Sequence, residues 1–576
     1  MTASRAVSQA RANTQLAAGP LRPGAGPTDR NPHHVDAALE ATRAASPHLH
    51  AALLALDPDQ RAAVLSGDRA TLVHAQVGSG KTTVLVHRVA YLHVACGVPL
   101  EQIAVLTFTN RAAAEIRSRL DAVLGRATSE RERWLVGTFH SAASALLRCS
   151  LPVERVGHTR HFTILDDDAA LDLAVAVARK QKLRPGRRAS LRDRMRTDRS
   201  LASIATAFAA ERRARDAMDF DDLLEHATVL LGDRTAGLAH VLVDELQDCE
   251  PRDLAFVRAL VGASAQFFAV GDPLQSIYGW RGASPELFAS MACRVRTLPQ
   301  SYRSTQTLLV GARAILGAQP APIGELVPVR GPGATISIVR HHDITAEAAY
   351  LAARLSQLHA DGLPWNEVAV LCRLRTQVAD LAAALATRGV PCVSDLDEKV
   401  EQAPNAAPGV RILTIHAAKG LEFTHVFLSG ANVGVLPLLS RDPDGDGARH
   451  ADPAEERRLL FVAITRARDA VEVSYQSRPH THGAFGVASP LLLLLPAHVV
   501  ARDDSPSVSP VSLAVAPPPQ PAPAIAKDWH VGQRVRHPRY GRGTIVTLAG
   551  DTIDCDFGKL GPRAFPRVMC PLTVEP

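Results

Sequence analysis

Three groups of residues in this chain have types and spacings suited to chemistry on a polyphosphate. The first is Ala75-Gln76-Val77-Gly78-Ser79-Gly80-Lys81-Thr82-Thr83, a glycine-rich loop between an apolar run and an amphipathic one. Backbone N–H groups of such a loop point inward at phosphate oxygens, and the helix start behind it adds partial positive charge. Gly78, Ser79 and Gly80 form the cradle, Lys81 reaches the β- and γ-phosphates, and the Thr82 hydroxyl is placed for Mg²⁺. The second is Val241-Leu242-Val243-Asp244-Glu245, an apolar strand that ends in two carboxylates. Asp244 suits the Mg²⁺ shell, and Glu245 suits polarisation of an attacking water. Gln247 and Asp248 follow at once. Together these residues point to hydrolysis of a nucleoside triphosphate.

The third group lies in Val270-Gly271-Asp272-Pro273-Leu274-Gln275-Ser276-Ile277-Tyr278-Gly279-Trp280-Arg281-Gly282-Ala283. A strand ends and a polar amide, two aromatics and an arginine follow. Aromatic residues make up only 4% of the chain, so Tyr278 beside Trp280 needs a reason. Core packing is one. The polar, glycine-flanked setting favours another: aromatic faces and an arginine that receive unstacked bases, at about 1–3 kcal/mol per base.

Positioning these groups takes a scaffold of alternating strands and helices. Strand-like runs fall at Thr71–His74, Ile103–Thr107, His240–Asp244 and Gln266–Val270, and again at Thr335–Val339, Glu367–Cys372, Val410–Ile415, Thr424–Leu428 and Ala470–Ser474. Helix-like runs separate them, a pattern of parallel sheets covered by helices. A chain of 576 residues exceeds one core, and two sets of strands predict two α/β lobes. Residues 143–222 read as a helical insertion in the first. The Ala/Arg/Pro/Gly-rich start has no hydrophobic period and reads as disordered. Residues 501–527 read as a Pro-rich linker. Short alternating runs beyond it, such as Gly543–Thr547 and Thr552–Phe557, predict a small β-barrel.

Composition bounds the setting more than the activity. The net charge of +6 suits a polyanionic partner without requiring one. The eight cysteines are scattered, with no pair at zinc-site spacing, and read as reduced cytosolic thiols. No apolar run reaches membrane-spanning length and no signal peptide is evident, so the expected location is cytoplasmic and the expected partners exclude a membrane.

With these motifs in view, residues 55–475 or so resemble the UvrD/Rep (PcrA-like) group of superfamily 1 DNA helicases, motif by motif and in the family's order. Leu56-Asp57-Pro58-Asp59-Gln60 resembles the segment whose Gln, here Gln60, reads adenine. Leu106-Thr107-Phe108-Thr109-Asn110 and Gly137-Thr138-Phe139-His140-Ser141 resemble segments that touch single-stranded DNA, which implies roles for Thr107, Phe108, Asn110, Thr138 and His140. Asp219-Phe220-Asp221-Asp222 resembles the element before the Mg²⁺ strand. In Leu298-Pro299-Gln300-Ser301-Tyr302-Arg303-Ser304 the resemblance implies that Tyr302 stacks on adenine and Arg303 meets the γ-phosphate. In Thr414-Ile415-His416-Ala417-Ala418-Lys419-Gly420-Leu421-Glu422 it implies that Thr414 and His416 face DNA and Glu422 the ribose. In Phe461-Val462-Ala463-Ile464-Thr465-Arg466 it implies a second γ-phosphate arginine, Arg466. Arg373 is expected on the DNA backbone, and Gln275 between phosphate and DNA contacts.

The resemblance implies two RecA-like lobes: a mostly disordered extension over 1–50, a first lobe over 51–297 with the insertion at about 143–222, and a second over 298–500. The linker at 501–527 and a Tudor/SH3-like module at 528–576 complete the chain. The implied activity is an ATP- and Mg²⁺-dependent 3′→5′ translocase or helicase acting on single-stranded and 3′-tailed duplex DNA, in repair, recombination or replication. RNA polymerase or repair proteins are the implied partners of the C-terminal module.

The chain departs from the family pattern in places. Thr83 stands where the family commonly has Arg, which loosens nucleotide selectivity, and Arg375 stands where it commonly has Asn. Only about residues 395–409 lie where the family inserts its 2B subdomain. Translocation therefore carries over more directly than processive unwinding. The alternative function is a DNA-stimulated ATPase switch that binds a transcription or repair partner.

Overall fold

The continuous apolar runs become buried parallel strands, because helices cover both faces of each sheet. The computed structural model describes residues 32–576 except 182–190, 192–194, 196–200, 233–235, 284–292, 318–325, 395–408, 442–447, 451, 482, 504–528, 538–540, 550–551, 559–560, 567–572 and 575–576. The chain divides into two compact units. The first holds residues up to Arg303 together with Pro320–Arg330, and the second holds Ser304–Gln319 and Gly331 onward.

The first unit is built on six strands: β1 (Ala70–Ala75), β2 (Ile103–Thr107), β3 (Val136–Thr138), β4 (His240–Val243), β5 (Gln266–Gly271) and β6 (Arg294–Leu298). Their order is β3-β2-β4-β5-β1-β6, and every pair is parallel. Alternate residues feed two cores. Leu72, Leu106, Val241, Val243 and Phe267 pack with Phe139, Leu223 and Phe256 on one face. Val73, Val105, Leu242, Phe268 and Val270 pack with Val84, Leu85 and Val89 of helix Lys81–Val94 on the other.

Two expectations need correction here. The extension over 1–50 is expected to be mostly disordered, but in its described part Pro32–Ala45 and Pro47–Leu54 are helices. Ser46 caps the second by accepting the Leu49 N–H at 3.3 Å, and Leu49 and Leu53 enter the core beside Val84. Four-residue spacing puts both leucines on one helix face. The expected disorder over residues 1–31 falls outside the described residues. The second correction is β6, which an edge position lets carry Arg294 and Arg296, so that no apolar run announces it.

Within 143–222 the helices Asp167–Lys180 and Ala202–Ala214 share a small core of their own around Leu173, Val177, Ile204 and Phe208. A two-residue parallel pair, Thr163–Ile164 with Ala217–Met218, ties its ends.

The second unit has seven parallel strands: β7 (Ile336–His341), β8 (Val368–Cys372), β9 (Cys392–Ser394), β10 (Val410–Thr414), β11 (Phe423–Leu428), β12 (Ala467–Gln476) and β13 (Val500–Asp503). The order is β9-β10-β8-β11-β12-β7-β13. β13 pairs with β7 through Asp503, so the ordered unit runs past 501, where the linker was expected to begin; residues 504–528 lie outside the described residues. At the C-terminus, β14 (Arg534–His537), β15 (Gly541–Ala549), β16 (Thr552–Asp556), β17 (Pro562–Pro566) and β18 (Thr573–Val574) form an antiparallel sheet in the order β17-β16-β15-β14-β18. Val535, Ile545, Ile553, Cys555 and Phe557 fill its core. Among the described residues, no helix is long and apolar enough to cross a membrane.

Candidate active site

The glycine loop leaves β1 at Ala75 and enters helix Lys81–Val94 at once. Gly78 and Gly80 have φ of +70° and +80°, a region that disfavours side chains, and both positions are crowded. A Cβ at 78 would lie 2.6 Å from Arg303 Cβ, and one at 80 would lie 2.7 Å from Gln60 Nε2. The loop is thus held from two sides. Gln60 donates from Nε2 to the Ser79 carbonyl at 2.9 Å, and its Oε1 accepts the Asp57 N–H at 3.2 Å in a reciprocal cap with Asp57. Tyr302 donates its backbone N–H to the Gly78 carbonyl at 3.0 Å, while its hydroxyl bonds Asp57 at 2.8 Å and Gln300 at 2.5 Å. Gln60, Tyr302 and Arg303 therefore gather around Gly78, Ser79 and Gly80 within the first unit. Thr82 and Thr83 follow Lys81 in the first turn of the helix.

β4 delivers Asp244, whose N–H donates to the Leu106 carbonyl at 2.8 Å. Asp244 is buried. Burial, and then the neighbouring Glu245 carboxylate, push its pKa up to about 7, while Lys81 pulls it back. A buried carboxylate so placed fits a divalent cation, which would remove the cost of its charge. Asp244 and Thr82 are the residues that would hold Mg²⁺, and the ion would supply charge neutralisation on the phosphates. Glu245 has a left-handed backbone, φ +51° and ψ +44°, at a non-glycine residue. Such strain is typical of functional positions.

From Glu245 a chain of hydrogen bonds leads to the third group. Gln247 donates from Nε2 to Glu245 at 2.5 Å and accepts the Asp272 N–H at 2.9 Å through Oε1. Gln275 donates to the Asp272 carboxylate at 2.7 Å. The Ser276 hydroxyl donates to the Gln247 carbonyl at 3.2 Å. Asp272, Gln247 and Gln275 are all buried. Two residues further on the chain surfaces. Trp280 is 67% exposed, its ring centroid lies 6.5 Å from that of Tyr278, and the Arg281 guanidinium sits 4.7 Å from the Trp280 ring and 5.4 Å from Tyr278. Such exposure excludes core packing for Trp280, whereas Tyr278 is half-buried.

The other first-unit residues singled out for DNA follow β2 and β3. Thr107 is buried. Phe108 packs 5.0 Å from Phe139, and exposed Asn110 opens helix Asn110–Leu124. Thr138 caps helix Phe139–Cys149 by accepting the Ser141 N–H at 3.2 Å. His140 packs edge-on to Phe220 at 5.1 Å, and burial lowers its pKa.

In the second unit, Arg373 donates to Glu456 at 2.7 Å. Glu456 is 1% exposed and also accepts the Leu438 N–H at 3.2 Å. This is a buried ion pair on a residue expected at the DNA backbone. Thr414 accepts the Ala417 N–H at 3.2 Å, shaping the turn that carries half-buried His416. Glu422 lies 3.7 Å from Arg468. Arg466 is buried, with Nε on the Val462 carbonyl at 3.1 Å and Nη1 on the Leu421 carbonyl at 3.1 Å.

The UvrD/REP helicase N-terminal domain matches residues 56–189 and 171–295, and the UvrD-like helicase C-terminal domain matches residues 393–478. Together they span more than half of the chain. The chain belongs to the UvrD/REP helicase family. Among its relatives, the ATP-dependent DNA helicase UvrD2 of Mycobacterium tuberculosis is 28% identical over 73% of this chain and 78% of that one. A probable DNA helicase of Mycoplasma pneumoniae is 28% identical over 73% and 84%. The ATP-dependent DNA helicase PcrA of Leuconostoc citreum is 30% identical over 58% and 48%.

As a UvrD-like protein the chain is an ATP-hydrolysing DNA helicase. Two residues of the site were not singled out from sequence. Gln247 was noted only for following the carboxylates, and Asp272 only as part of its segment. The available signal was position: Asp272 stands one residue and Gln247 four residues past the end of a buried strand.

Proposed function

We propose that this UvrD-like helicase moves 3′→5′ along single-stranded DNA, with ATP and Mg²⁺, in repair, recombination or replication in the cytoplasm. The proposal rests on the hydrogen-bonded chain from half-buried Glu245 through buried Gln247, Asp272 and Gln275, the last of which opens the segment that carries exposed Trp280 and Arg281. A change at the water-polarising carboxylate would be felt at the base-stacking loop through two side-chain amides. In this reading Lys81, Thr82 and Asp244 serve the nucleotide and its cation, and Tyr302 and Gln60 serve the base. Arg303 and Arg466 serve the γ-phosphate, and Arg466 must first leave the Val462 and Leu421 carbonyls. Phe108, His140, Tyr278, Trp280, Arg281 and His416 hold the strand. The test is ATP hydrolysis with and without single-stranded DNA. Strong stimulation, lost in Lys81→Ala, is expected; a rate indifferent to DNA would refute the proposal.

Unwinding is proposed to be weak. β9 and β10 are parallel neighbours joined by residues 395–409. A parallel crossover alone takes about a dozen residues, which leaves no length for a 2B subdomain. The same observation favours a second reading, a DNA-stimulated ATPase switch whose C-terminal module, proposed as a Tudor-like barrel, engages RNA polymerase or a repair protein. Strand displacement on a 3′-tailed duplex, with and without residues 528–576, separates the two.

A further inference from the structure

Between Trp529 and Pro576 the chain carries seven Arg and Lys against four Asp and Glu. Part of that excess is concentrated on one sheet face. Arg536 stands directly opposite Arg542, and Arg534, on the same strand as Arg536, stands opposite Thr544. Val535 and Ile545 fill the core, so alternation turns Arg534, Arg536 and Arg542 outward, and all three are exposed. Opposed residues are about 5 Å apart and like charges there destabilise the pair. Residues two apart on a strand are about 7 Å apart. Three guanidinium groups thus share a small patch, with exposed Val546 at its side. Among the described residues of β15 and β16, the carboxylate Asp556 stands opposite Thr544 and accepts the Gly558 N–H at 2.9 Å.

We infer that the outer face of β14 and β15 is a second DNA site, which grips the phosphate backbone of duplex DNA through Arg534, Arg536 and Arg542. The inference rests on the chain being a DNA helicase and concerns a surface apart from its motor residues. Arginine-rich faces without aromatic platforms suit phosphates rather than bases. Among the described residues, the module's aromatics Phe557 and Phe565 are buried in its core, and half-buried Trp529 packs against it. A duplex presents the denser line of phosphates. The Pro-rich segment 504–528 ties this face covalently to the motor, so a duplex held there is kept at high effective concentration.

The test uses the full chain, a fluorescent blunt duplex and a salt titration. Each phosphate contact contributes about 0.9 to the slope of log affinity against log salt. Arg534→Ala/Arg536→Ala/Arg542→Ala should lower that slope by about 2–3 and weaken binding at least tenfold, while the triple Lys variant keeps the slope. ATPase stimulation by single-stranded DNA should be unchanged in both, so a failed motor is read separately as absent stimulation in the unaltered protein. Should the triple variant not fold, Arg536→Gln alone should lower the slope by about 1. Unchanged slope and affinity in a folded variant would overturn the inference. So would tight binding of polyglutamate with no binding of duplex, which would assign the face to an acidic protein segment.

Discussion

Gln247 and Glu245 are joined side chain to side chain at 2.5 Å, and the other end of the same Gln247 amide holds the backbone of Asp272 at 2.9 Å. One planar group therefore fixes both the Glu245 carboxylate and the start of the loop that leads to Trp280. Gln247→Leu should cut the DNA-stimulated ATPase about a hundredfold, since misplacement by about 1 Å costs that much. The rate without DNA should fall less. Steady-state turnover with and without single-stranded DNA checks this; equal losses would mean that Gln247 serves the hydrolysis alone.

Trp280 combines 67% exposure with Arg281 stacked 4.7 Å away. Trp280→Ala should weaken single-stranded DNA by about 1–3 kcal/mol, with unchanged nucleotide affinity and thermal stability. Fluorescence anisotropy on an oligonucleotide and a melting curve read both. A lowered melting temperature would return Trp280 to a packing role.

Arg373 pairs with Glu456, which is 1% exposed. Removing one partner of a buried pair costs about 3–5 kcal/mol, because the other charge is left without compensation. Arg373→Ala should therefore unfold early, and Arg373→Met/Glu456→Leu should recover most of the loss. Loss of DNA affinity with a normal melting temperature would instead place Arg373 on the DNA.

How much of this was legible in the sequence follows from burial. Val241-Leu242-Val243 and Val368–Cys372 read clearly as strands because both faces are covered, and every residue of both is buried. Arg294–Leu298 did not, because an edge strand tolerates charge. The helices at 32–54 hid behind alanines, with Leu49 and Leu53 as their faint signal. The motif residues around the glycine loop were legible because phosphate chemistry restricts residue type. Side-chain partners were not: nothing in the order of residues tells that Gln60 braces Ser79, that Arg466 turns onto backbone carbonyls, or that Glu245 has a positive φ.

Burial lowers the pKa of His240 to about 4, of His425 to about 4 and of His226 to about 3. Each ring is neutral in the fold but binds a proton near 6.5 once unfolded. Below 6.5 the unfolded chain thus holds more protons, and stability should fall as pH drops toward 4. Asp222 and Asp253, raised by burial to about 7 and about 6, act in the opposite sense over an overlapping range. Comparing melting temperatures of the unaltered protein and His425→Gln at pH 7 and pH 5 isolates one histidine. The variant should lose less on acidification; equal losses would show that His425 is protonated in the fold.

Directional movement powered by the glycine-loop site is measured, without any need for unwinding, by displacement of streptavidin from biotinylated single-stranded DNA. A 3′→5′ motor should give ATP-dependent release from the 5′ end, none from the 3′ end above background, and no release with Lys81→Ala. Release from the 3′ end, or none from either end despite DNA-stimulated ATP hydrolysis, would contradict it.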